Sequence, residues 1–117
     1  MKYALLIYGN SDAVASWSAE DRRRINAGLG EVVARPDVPD YLRLQGASTA
    51  TTLRDAGGGL LLTDGPFVDS KDFLGGFILV EAENIDGALA VANELQEFRM
   101  AGAIEIRPVN EEPLIRA

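Results

Sequence analysis

Fourteen residues, Asp64-Gly65-Pro66-Phe67-Val68-Asp69-Ser70-Lys71-Asp72-Phe73-Leu74-Gly75-Gly76-Phe77, hold the chain's most distinctive chemistry. They join two apolar runs, which puts charged side chains at a strand end, where loops commonly carry function. Asp64 is the candidate catalytic acid/base or ligand acceptor, and Lys71 the candidate anion anchor. The plainer reading is a shaped connection: Asp accepts the following amides, Gly permits positive φ, and Pro fixes its own φ. Phe67 and Phe73 would then plug the loop against the core. Near the other end, Glu105 and Arg107 alternate with Ile104 and Ile106 and so share one face of a strand. Arg107 offers a fork for a carboxylate or phosphate, with Glu105 holding it in place. Their plainer role is a cross-strand ion pair or solvated edge, worth little at a surface. Tyr3 and Tyr8 are core or rim aromatics, and the Tyr8 hydroxyl can also meet a bound polar ligand.

The missing residue types narrow the chemistry further. The 117 residues include no histidine and no cysteine, which removes the commonest neutral-pH base, thiol nucleophiles, disulfides and thiolate metal sites. Eighteen acidic residues against eleven basic ones give a net charge of -7, so a polyanion meets repulsion, and direct nucleic-acid binding is disfavoured. Arg22-Arg23-Arg24 opens a helix, where positive charge opposes the dipole. It reads as a solvated face or as partners for Glu20 and Asp21. Gly57-Gly58-Gly59 precedes a strand rather than a helix and is a turn, not a phosphate loop. No metal is expected, since Asp69 and Asp72 alone seldom make a site, and no cofactor is implied. No run reaches the roughly 18 apolar residues of a membrane span, and the start lacks a cleavage-type ending, so a cytoplasmic protein without a membrane partner is expected.

These residues need elements to position them, and the patterning supplies a single domain over 1–117. Lys2 to Tyr8 reads as a strand apolar on both faces, with Tyr3, Leu5 and Ile7 opposite Ala4, Leu6 and Tyr8, followed by a turn at Gly9-Asn10-Ser11-Asp12. Ser18 starts a helix that buries Ile25, Leu29, Val32 and Val33 and stops before Pro36. Gly28 and Gly30 inside it imply close packing or local weakness. Arg35 to Asp40 is irregular and Tyr41 to Leu44 a short strand. Thr49 to Arg54 and Leu60 to Thr63 form a hairpin about Asp55 to Gly59. Phe77 to Ala82 is the clearest central strand. A second helix from Asn84 places Ile85, Ala88, Leu89, Ala92 and Leu95 on one face, and Ile104 to Arg107 closes the chain as a strand before Pro108. The order predicts an α+β, ferredoxin-like split βαβ sandwich with an inserted hairpin. Two helices cover one face of such a sheet. Strands apolar on both faces therefore call for a second copy on the other, and a homodimer is expected.

Asp64-Gly65-Pro66-Phe67, Lys71, Leu74-Gly75-Gly76-Phe77 and the closing Glu105-Ile106-Arg107-Pro108-Val109 resemble the DGPF-containing branch of the YCII-related family. The opening Lys2-Tyr3-Ala4-Leu5-Leu6-Ile7-Tyr8 extends the likeness over nearly the whole chain. The resemblance implies a dimeric α/β barrel. It also implies association with sigma factors of the extracytoplasmic-function type, and, from wider relatives, lyase-like chemistry on a His–Asp pair. That pair does not carry over: the chain has no histidine, and Leu95-Gln96-Glu97-Phe98-Arg99 lacks the Asp-Pro-Phe of those relatives.

The expectation is thus a homodimer binding a small polar or anionic ligand where Asp64, Lys71 and Arg107 converge in one cavity, with Glu105 and Tyr8 beside them. The alternatives are an accessory protein acting with a sigma factor, or a histidine-independent lyase-like enzyme whose base is Asp64 or Glu105.

Overall fold

Strand β1 (Lys2–Asn10) and strand β5 (Asp72–Glu81) pair antiparallel at the centre of a four-stranded sheet ordered β2-β5-β1-β6, with β2 (Asp40–Arg43) and β6 (Ala103–Pro108) at its edges. The computed structural model describes residues 1–99 and 101–113. Helix α1 (Ser11–Ser16) follows β1, helix α2 (Ala19–Val33) leads to β2, and helix α3 (Ile85–Arg99) leads from β5 to β6. A free-standing hairpin of β3 (Thr51–Asp55) and β4 (Leu60–Asp64) is inserted between β2 and β5. This is the expected split βαβ arrangement with its inserted hairpin.

Local chemistry accounts for the element starts. The Asp21 amide donates to Ser18 Oγ and the Ser18 amide to the Asp21 carboxylate, each at 3.0 Å, closing a capping box that holds the Asp21 carboxyl below its usual range. Asn84 Oδ1 accepts from the amides of Asp86 and Gly87 ahead of α3. Of the four residues expected to form a turn after β1, Gly9 and Asn10 end the strand and Ser11 and Asp12 start α1, because Asn10 Oδ1 accepts from the amides of Asp12 and Ala13. Two glycines in α2 differ in role. A Cβ on Gly28 would meet the Phe98 ring at 2.7 Å, whereas nothing lies within 4 Å of one on Gly30.

Both helices lie on one face of the sheet. Leu5, Ile78, Val80, Ala88 and Leu95 are fully enclosed there, packed with Tyr3, Val32, Val38, Val91 and Ala92. Burying each large side chain stabilises the fold by roughly 1.5–3 kcal/mol. The buried stripe of α3 runs through Ala88, Val91, Ala92, Leu95 and Arg99. Ile85 and Leu89, expected on that stripe, are each 47% exposed. They sit to one side of it, because steps of three, one, three and four residues centre the buried stripe near Ala88 and Leu95.

Among the described residues nothing covers the opposite face. Across the strands its rows read Asp40, Leu79, Ala4, Arg107 and then Leu42, Phe77, Leu6, Glu105. The centre is apolar and half-buried, and the charges stand on the edge strands. The molecule measures 47 × 43 × 19 Å with a radius of gyration of 16.5 Å. About 13 Å is expected for a compact chain of this length.

β5 begins at Asp72, five residues before the expected start, and its pairing with β1 shifts between Ile7 and Tyr8, where Gly75 is left without a partner. Beyond this bulge the alternation of β5 reverses. Phe73 lies on the helix side, against Gly9, while Leu74 pairs with Tyr8 on the open side.

Candidate functional site: an arginine-lined cavity

At the end of the sheet where α2 begins and α3 finishes, a cavity of about 310 Å³ opens between helices and strands. Its size suits a small molecule. Three cations line it: Arg22 from the first turns of α2, Arg43 from the end of β2, and Arg99 from the last residue of α3. Trp17, Tyr41, Phe73 and Phe98 supply aromatic walls, and among the described residues no Asp or Glu lines it. In a chain of net charge -7 this inverts the local field.

Each arginine is steered by neutral groups. Arg99 is 8% exposed, donates from Nη2 to the Tyr8 carbonyl at 2.8 Å and from Nη1 to Gln96 Oε1, and has no carboxylate partner among the described residues. Burial pushes its proton affinity down, yet a guanidinium keeps its charge at any physiological pH. Arg22 donates to the Val14 carbonyl at 3.1 Å, and Arg43 makes a long 3.5 Å contact with Asn26 Oδ1. Burial raises the Tyr41 phenol above its ordinary pKa, against a smaller opposing effect of Arg43. The phenol therefore stays protonated at neutral pH. One buried and two exposed arginines, aromatic surface and a protonated phenol suit holding an anion. They supply no base.

The residues singled out from the sequence lie elsewhere. Asp64 is exposed at the end of β4, opposite Thr51. Gly65 takes φ 102° beside it, donating to the Ala50 carbonyl at 2.7 Å while its own carbonyl accepts from Thr52 Oγ1. Phe67 is no plug: it is 67% exposed, and the Arg54 guanidinium stands 5.1 Å from its ring centre. Lys71 donates to Asp12 Oδ2 at 2.9 Å, so its amine engages α1 rather than an open pocket. Glu105 and Arg107 share a face as expected, but it is the uncovered one, on the far side of the sheet from the arginines, and neither has an ion-pair partner among the described residues. Tyr8 is half-buried, and its side chain lines an open apolar groove of about 720 Å³ beside Pro66, Phe67 and Leu74. Within one protomer, then, Asp64, Lys71 and Arg107 do not converge, because the hairpin, α1 and the open face hold them apart.

Part of the missed site had a signal in the sequence. Arg99 follows Leu95 by four residues and so shares the buried stripe of α3, and Arg22, itself exposed, precedes the buried Ile25 by three and so stands on the same side of α2. Arg43 carried none.

The model of the YCII-related domain matches residues 1–113. The chain belongs to the YCII-related family. An uncharacterised protein of Rhizobium meliloti (strain 1021) is 32% identical over 114 residues, covering 93% of this chain and 92% of that protein. Among solved structures, this YCII-related chain is similar to 5-chloro-2-hydroxyhydroquinone dehydrochlorinase from Burkholderia phenoliruptrix AC1100 in complex with 2,5-dihydroxybenzoquinone. That likeness has a TM-score of 0.45 and 18% identity and covers 96% of each chain. Among the described residues, no helix of the YCII-related fold seen here is long and apolar enough to cross a membrane.

Proposed function

We propose that this YCII-related chain, of the DGPF branch, binds a small anionic ligand in the cavity lined by Arg22, Arg43 and Arg99, and does so as a homodimer. The observation that carries the ligand reading is three guanidinium groups around one cavity, with no carboxylate among the described residues that line it. Separate charges of one sign stay close only at a cost, which an incoming anion repays through charge-assisted hydrogen bonds. Binding is favoured over acid/base catalysis, because neither Asp64 nor Glu105 lies among the lining residues.

Calorimetry and thermal shift with benzoate, inorganic phosphate and neutral benzamide test this reading. The anions should bind and raise the melting temperature, benzamide should not, and Arg43→Gln should weaken anion binding about tenfold. Equal binding of benzamide, or anion binding indifferent to Arg43→Gln and Arg99→Gln, would sink it.

The dimer reading is supported by the apolar centre of the uncovered face and by the exposed Leu53, Leu60 and Leu62 of the hairpin. The two rows across four strands present only about 260 Å², about a third of what one partner gives to a standard interface. The hairpin, marginal by itself, is the natural source of the remainder. Sedimentation should find a dimer at micromolar concentration and a monomer for Leu6→Glu. A wild-type monomer would overturn the dimer and leave the face to another polypeptide, with co-purification of a sigma factor as the next test.

A further inference from the structure

Helix α1 is six residues long and buries none of them, yet Val14 near its end and Trp17 just beyond it wall the arginine cavity. Its two ends are held unequally. At the start, Asn10 donates to Asp72 Oδ1 at 3.0 Å, the Ser11 amide to the Lys71 carbonyl at 2.8 Å, and Lys71 Nζ to Asp12 at 2.9 Å, in addition to the Asn10 cap. At the finish, the bond that reaches α1 from another element is the one from Arg22 to the Val14 carbonyl at 3.1 Å. That carbonyl also accepts from the Trp17 amide, so it keeps a partner if Arg22 leaves. Trp17 and Ser18 are extended and make a two-residue joint to α2.

We propose that α1 is a strap across the cavity, hinged at Lys71 and latched by Arg22, and that an anion bound in the cavity opens the latch by drawing the Arg22 guanidinium off the Val14 carbonyl. The inference rests on the anion-binding reading above. An anionic acceptor competes well with a neutral carbonyl for a guanidinium, since it adds the attraction of opposite charges and a two-pronged acceptor geometry to the hydrogen bond. Binding and strap release are then linked: the ligand is favoured by whatever loosens the strap's C-terminal end.

Trp17 is the chain's only tryptophan, so its emission reports on the joint. The full chain is titrated with inorganic phosphate, which has no aromatic absorbance, while heat, Trp17 emission and hydrogen exchange of the amides of residues 12–17 are followed. Emission should change with the calorimetric midpoint, and these amides should lose protection on binding. Arg22→Gln should show the altered emission and fast exchange without ligand, show no further change with it, and still bind through Arg43 and Arg99, weakened about fivefold. Lys71→Ala should keep the ligand-induced change, because the backbone and Asn10 bonds still hold the hinge. Heat of binding with unaltered emission and exchange, or a full response in Arg22→Gln, would overturn the strap and leave the cavity reading standing. A chain that gives no heat with phosphate or benzoate would overturn both.

Discussion

Leu5, Ile78 and Val80 are fully enclosed on the helix side of the sheet, while Leu6, Phe77 and Leu79, one residue along on the same strands, are only half-buried. The side chains on the two faces are alike in type; the difference lies in what covers them. α2 and α3 are the only long helices among the described residues, and both are spent on one side. Apolar alternation therefore says which side chains share a face. The number of elements available says which face is sealed.

The largest test of that contrast is a matched pair of truncations. Ile78→Ala should cost the protomer about 2–5 kcal/mol in urea unfolding. Leu79→Ala, its neighbour on the open face, should cost the isolated protomer under about 1 kcal/mol while weakening self-association by sedimentation. Equal losses would erase the distinction between the faces.

The helices themselves offer a second pair. Gly28→Ala drives a methyl into the Phe98 ring and should destabilise by about 1–3 kcal/mol, visible as a lower melting temperature. Gly30→Ala meets nothing and should stabilise by up to about 1 kcal/mol.

The smallest effect concerns the clamp behind α2. Arg35 donates to Asp37 at 2.9 Å and also pairs with Glu94 of α3. Its hydrogen bonds to Asp37 are the main reason that this carboxyl sits below the usual range. A depressed carboxyl pKa contributes stability above the unfolded-state value and loses it as pH falls through the folded one. Arg35→Ala should thus cost about 1 kcal/mol or less at neutral pH, since the pair is partly solvated. Its melting temperature should converge with wild type as the pH falls through the carboxylate range.

Much of the fold was legible because its signals are local. The Ser18 capping box, the two-faced strands and the glycine turn between β3 and β4 each need only a few neighbouring residues. α1 was not, since an Asx residue ahead of a polar step reads equally as turn or cap, and the Lys71 contacts that favour the helix come from 59 residues away. The site was harder still. Arg22, Arg43 and Arg99 meet only because three separate elements end at one corner of the sheet. The conspicuous Asp64 to Phe67 run starts on the last residue of a hairpin that forms a sheet of its own.

The unpaired Gly75 acts as a phase switch for a single strand. On one side of it β5 follows one alternation of the sheet, and on the other side the opposite one, so Phe73 is delivered to the arginine-lined cavity and Leu74 to the open face. Excising that one glycine would straighten the strand and leave Leu74 opposite Tyr8 and Phe73 opposite Gly9, whereas drawing it into regular pairing would exchange the two addresses, turning the ring out of the cavity and a leucine into it.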